Sequence, residues 1–138
     1  MVESINADAE NQLFLPGIRL NAAISATDDL SKAAKADLVL AAPPAQHMRG
    51  VLRNVRPHLS PRAALVLCAK GVERGSLALM TDVLAQEIPE LEPAVLSGPG
   101  FAKDVARGLP TATTIASRDA GLAQGGMAPQ AATDRSNQ

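Results

Sequence analysis

Leu96-Ser97-Gly98-Pro99-Gly100-Phe101-Ala102, running on through Lys103-Asp104-Val105-Ala106-Arg107-Gly108-Leu109-Pro110-Thr111, is the stretch that decides the fold. An apolar run stops at a Gly-Pro-Gly turn and resumes as a helical pattern, which reads as a strand end, a turn and a helix start. That order points backbone N–H groups and the positive end of a helix at whatever binds there, which suits a phosphate or a nucleotide. A second apolar run, Ala64 to Ala69, stops at Lys70-Gly71-Val72-Glu73. A lysine and a glycine-rich helix start, both at strand ends, are the ingredients of an anion site.

The segments around these two motifs alternate between helix and strand. Thr27 reads as the N-cap of a short helix over Asp28 to Lys35. Residues 37–42, Asp-Leu-Val-Leu-Ala-Ala, form a short apolar run ended by Pro43-Pro44, the pattern of a buried parallel strand. Met48, Val51, Leu52 and Val55 lie at i, i+3, i+4 and i+7, the stripe of an amphipathic helix that Pro57 ends. After the strand at Ala64 to Ala69, Leu77, Met80, Leu84 and Ile88 predict one face of a further helix. Pro93 to Leu96 reads as a third strand, Pro99 to Arg107 as a helix closed by Gly108, and the β-branched run Thr111 to Ala116 as a fourth strand. The start, from Met1 to about Asn11, reads as the tail of a helix broken at Pro16-Gly17.

Repeated strand–helix units imply an α/β fold, a parallel sheet flanked by helices. In such sheets ligands bind at the carboxyl ends of the strands, where Ala42-Pro43-Pro44, Lys70-Gly71 and Ser97-Gly98 all fall. Residues 119–138 are rich in Ala, Gly, Gln, Asn and Ser with no periodic apolar face, and are expected to be disordered or foreign to the fold.

Composition narrows the function classes. The chain has 138 residues, about one domain, and is 46% apolar but only 1% aromatic. Phe14 and Phe101 are its two aromatics, so it lacks stacking platforms for single-stranded nucleic acid, and Phe101 is expected in the core. A net charge of −1 argues against a general nucleic-acid surface. Cys68, alone and inside an apolar run, reads as a buried, inert thiol. His47 and His58 have no partner at metal-ligand spacing and read as surface histidines, so no metal is expected. There is no apolar run long enough for a membrane span and no visible signal peptide, which makes a cytoplasmic location the expectation.

Phe14-Leu15-Pro16-Gly17, Pro44-Ala45-Gln46, Lys70-Gly71-Val72-Glu73 and the segment from Leu96 to Thr111 stand in the order and spacing of one family. Over about residues 1–118 the chain resembles the N-terminal part of the NAD(P)-dependent glycerol-3-phosphate dehydrogenases. The resemblance implies a Rossmann-type dinucleotide-binding domain using NAD or NADP. It implies hydride transfer between dihydroxyacetone phosphate and sn-glycerol 3-phosphate, for phospholipid synthesis, in a family that is often homodimeric. Carried over residue by residue, Lys70 matches a lysine near both nicotinamide and substrate. Gly98 and Gly100 match substrate contacts, Ala102 matches a cofactor contact, and Pro44 and Ala45 match a turn close to the cofactor.

The departures are also specific. The family pattern has Ser or Thr where Gly100 stands. No Gly-x-Gly-x-x-Gly occurs in these 138 residues, and the last lysine is Lys103, so the family's pyrophosphate turn and its proton-donor lysine have no counterpart here. The chain therefore reads as an interior piece of the domain, lacking its first two strands, with an exposed sheet edge and no measurable dehydrogenase activity of its own. Two alternatives stand beside this reading: a non-catalytic Rossmann-like binding or interaction module, and a dehydrogenase of the 6-phosphogluconate or 3-hydroxyacyl-CoA type. The pairing of Lys70-Gly71 with Ser97-Gly98-Pro99 speaks against the last.

Overall fold

In the computed structural model, residues 1–120 and 122 are described. The expectation for the 119–138 tail therefore lies almost wholly outside the described residues. The elements are α1 (Val2–Asp8), α2 (Leu30–Ala33), β1 (Leu38–Ala41), α3 (Ala45–Val55), β2 (Ala64–Leu67), α4 (Met80–Glu87), β3 (Ala94–Ser97), α5 (Ala102–Ala106) and β4 (Thr114–Ser117). The four strands form one open sheet in the order β1-β2-β3-β4, with β1 at an edge.

The core is built on one face of this sheet. Met48, Leu52 and Val55 of α3 are buried, as their helical spacing predicts. Met80, Val83 and Leu84 of α4 are buried beside them. Together with Ile88 they close over Ala41, Leu65 and Leu67, which the pleat of β1 and β2 turns to the same side. Leu40, on the opposite face of β1, is 52% exposed.

β1, β2 and β3 run parallel, joined through α3 and α4. The expectation of a wholly parallel sheet fails at β4, which pairs antiparallel with β3, Ser97 opposite Thr114 and Ala94 opposite Ser117. The physical reason lies in the connection. A crossover helix must bury an apolar stripe on the sheet, and α5 has five residues and buries none. The chain turns at Gly108, where φ is +71°, and returns beside the strand it left.

Other boundaries shift for local reasons. The short second helix is capped by Asp29, whose carboxylate accepts from the Ser31 amide at 2.9 Å, rather than by Thr27. α3 ends at Val55, just before Pro57 as expected, and the 3-10 turn over Arg56–His58 that follows takes proline early, where no N–H is needed. Leu77 is not on the apolar face of α4. It sits at φ +57° in the loop before that helix and is 75% exposed. Phe101 is 73% exposed rather than in the core. Cys68 is half-buried, and desolvation pushes its thiol pKa up, which favours the unreactive protonated form. His47 and His58 lie on the surface.

Leu84 is fully buried between the helices and the sheet. Leu84→Ala is expected to lower the unfolding free energy by about 3 kcal/mol, measured by urea titration. A loss under about 1 kcal/mol would show that this position is not packed as described.

Candidate functional site

The carboxyl ends of β1, β2 and β3 are brought to one rim. Lys70 follows β2, and its Nζ donates to the Gly98 carbonyl beyond β3 at 3.2 Å. The Pro44-Ala45 turn beyond β1 comes up to the same loop, since a Cβ built on Gly71 would stand 4.0 Å from the Ala45 Cβ. Pro44 is exposed and is the N-cap of α3, whose first turn has no side-chain cap, leaving amides free for water or ligand. Of the expected residues, the structure thus gathers Lys70, Gly98, Pro44 and Ala45.

Lys70 carries its charge differently from Arg49, Arg53 and Arg56. Among the described residues, its exposed ammonium has one hydrogen bond, to a neutral carbonyl, and no ion pair. The arginines of α3 and of the turn after it are neutralised instead. Arg49 forms a two-pronged contact with Glu73 (Nε to Oε1 2.7 Å, Nη2 to Oε2 2.8 Å) and reaches Glu87 through Nη1 at 2.7 Å. Arg53 bonds Glu87, and Arg56 bonds Glu90 through Nε at 2.9 Å. Arg49 and then Ser76, whose hydroxyl donates to Glu73 Oε2 at 2.6 Å, hold the Glu73 carboxyl down at about 2, from its ordinary 4.5.

The two glycines part company. A Cβ on Gly98 would stand 2.4 Å from the Ala112 carbonyl oxygen, so this glycine exists for the close return of the chain into β4. A Cβ on Gly100 would meet the Thr111 side chain at 3.4 Å, an ordinary contact. The serine or threonine of the family pattern would fit there. Gly100 lines a cavity of about 350 Å³ with Phe101, Asp104, Leu109 and Thr111 among others. Ala102, exposed, opens α5. The sequence suggested a strong helix N-terminus here. The short α5 weakens that expectation, because the macrodipole needs several turns and Asp104 places a carboxylate in the first one.

Sequence reasoning missed Arg49, which grips the loop carrying Lys70. The signal was available as arginines at 49, 53 and 56, spaced by four and three along the polar face of α3 and the turn after it. No group of three or more His, Cys, Asp or Glu among the described residues could hold a metal ion. No helix among them is long and apolar enough to cross a membrane.

A Rossmann-type sheet with a strand-end lysine facing a glycine turn defines the class, a domain of the dinucleotide-binding kind. The chain belongs to the family of NAD-dependent glycerol-3-phosphate dehydrogenases, whose N-terminal family model matches residues 1–123. A glycerol-3-phosphate dehydrogenase [NAD(P)+] of Parvibaculum lavamentivorans is 52% identical over 124 residues, 90% of this chain. One of Caulobacter vibrioides is 52% identical over 122 residues, 88% of this chain. The chain spans 37% of the length of each of these relatives. Among solved structures, glycerol-3-phosphate dehydrogenase of Coxiella burnetii superposes with a TM-score of 0.79 at 28% identity, over 88% of this chain and 37% of that one. The Plasmodium falciparum enzyme does so with a TM-score of 0.78 at 27% identity, over 87% of this chain and 34% of that one.

Two measurements check this geometry. Gly98→Ala is expected to lower the melting temperature clearly, while Gly100→Ser leaves stability within about 0.5 kcal/mol of the parent. Equal melting of the two variants would contradict the close return at Ala112. Because the folded Glu73 pKa is depressed, its contribution to stability is full above about pH 4.5 and fades as pH falls toward 2. Glu73→Gln should therefore flatten the acid limb of a melting-temperature profile, and an unchanged acid limb would speak against the Arg49–Glu73 pair.

Proposed function

We propose that this chain serves the NAD(P)-dependent interconversion of dihydroxyacetone phosphate and sn-glycerol 3-phosphate, in the cytoplasm and for phospholipid synthesis. It would furnish the wall of the site on which the substrate and the nicotinamide end of the cofactor meet. The observation that carries this is the Lys70 ammonium at the strand ends, held against a neutral carbonyl and left with donors for an anion.

The residues at the rim fit such ligands in part. Lys70 would bind the substrate and polarise its carbonyl oxygen as a point charge, stabilising negative charge that develops there. Gly98 and Gly100 would let the backbone approach the substrate. Pro44, Ala45 and Ala102 would line the cofactor side, near the uncapped start of α3 and at the start of α5. The bound dinucleotide supplies the hydride carrier. The pyrophosphate turn and a lysine proton donor are not among these 138 residues. Hydride transfer depends on holding two ligands together, so these residues by themselves should not turn substrate over.

Calorimetric titration of the chain with sn-glycerol 3-phosphate tests this reading. Lys70→Ala is expected to weaken binding by more than about tenfold, the worth of a charge-assisted contact, while Lys103→Ala leaves it unchanged. Equal heats for the parent and Lys70→Ala, including none from either, contradict the assignment. In parallel, the chain mixed with NADH and dihydroxyacetone phosphate should show no NADH oxidation. Robust oxidation lost on Lys70→Ala would overturn the inactivity but not the role of the lysine.

A further inference from the structure

We propose that Gln46 and Arg49, one turn apart on α3, are positioning residues that fix where Lys70 stands. The proposal rests on Lys70 being the substrate-side cation. The residue after Lys70 is Gly71, at φ +112°, where the backbone has most freedom. The direction of the lysine is therefore not set by its own neighbours in sequence. It is set a few residues further on, where α3 takes hold of the loop.

Gln46 holds the loop backbone as a neighbouring strand would. Its Nε2 donates to the Val72 carbonyl at 2.9 Å, and its Oε1 accepts from the Arg74 amide at 2.9 Å. Arg49 holds the side chain between them through its two-pronged contact with Glu73, a pair whose side chains are only 26% and 16% exposed. Glu73 is in turn braced from the far side of the loop. Ser76 donates to it, its amide donates to the Ala78 carbonyl at 2.9 Å, and its carbonyl accepts from the Leu77 amide at 3.0 Å.

The anchor of this arrangement is Met48, which lies between Gln46 and Arg49 in sequence and is fully buried in the core. A lysine pays side-chain entropy for every fixed geometry, so an ammonium that must meet a ligand benefits from a fixed base. Arg53 and Arg56 provide an internal comparison. They continue the same row, but their bonds run to Glu87 and Glu90 rather than to the loop.

The test is side-chain NMR of Lys70 in the full chain, with its Cε–Hε signals assigned by their loss in Lys70→Ala. The parent should show two distinct Hε signals. Gln46→Ala and Arg49→Met should collapse them to one averaged signal and weaken sn-glycerol 3-phosphate binding by about tenfold. Arg53→Met, which removes an ion pair from the same row, should change neither. Arg49→Lys keeps the charge without the fork and should restore the signals only partly.

Averaged Lys70 signals in the parent, distinct signals surviving in both Gln46→Ala and Arg49→Met, or an equal collapse in Arg53→Met would overturn the proposal. If Arg49→Met loses the dispersed Leu84 methyl signals of the folded core, Gln46→Ala decides, since it removes one exposed side chain and no charge. Binding that survives Lys70→Ala would overturn the functional reading instead, and the Lys70 signals would still decide the positioning.

Discussion

Everything at the rim of this sheet depends on α3 and α4 packing together over β2. Met48, Leu52, Val83, Leu84 and Ile88 close on Leu65 and Leu67, all of them almost free of solvent. Burying side chains of this size is worth roughly 2 kcal/mol each, which is the scale on which this small domain is held together. The packing fixes the start of α3 against the end of β2. The Pro44-Ala45 turn and the Lys70-Gly71 turn come together for that reason, with no contact of their own needed to draw them.

Electrostatics then sorts the charges that this packing brings close. α3 and the turn after it present arginines at 49, 53 and 56, and each finds a carboxylate from the loop after β2 or from around α4. The outer pairs, Arg53–Glu87 and Arg56–Glu90, are exposed on at least one side and add little to stability one by one. What they do is consume the positive charge of α3, while Lys70, and Arg74 further along the same loop, stay exposed without an ion pair among the described residues. The fixed partner of Lys70, the Gly98 carbonyl, ties the end of β2 to the turn after β3.

Much of this was legible in the sequence. The strands at Leu38–Ala41, Ala64–Leu67 and Ala94–Ser97 rest on short apolar runs stopped by turn residues, and α3 on the helical spacing of 48, 52 and 55; all stand within a residue or two of expectation. Lys70 and Gly98 were visible as punctuation at strand ends. What stayed hidden depends on distance across the fold. The antiparallel return of β4 follows from α5 having no apolar face to bury. The need for glycine at position 98 follows from a carbonyl fourteen residues later, at Ala112. Leu77 matched the helical stripe but fell to the turn at Gly75-Ser76-Leu77, which Glu73 closes from one side. Arg49 carried no motif, and its importance emerges only when Glu73 is placed opposite it.

In the proposed function, the strand-end lysine is where an anionic three-carbon substrate is held. The most direct measurement is a crystal structure of the chain with sn-glycerol 3-phosphate. A ligand oxygen is expected about 3 Å from Lys70 Nζ, beside the Gly98 carbonyl and within reach of the Pro44-Ala45 turn. A ligand seated elsewhere, in the cavity beside Asp104 or under α1, with Lys70 still bonded to Gly98 alone, would contradict it.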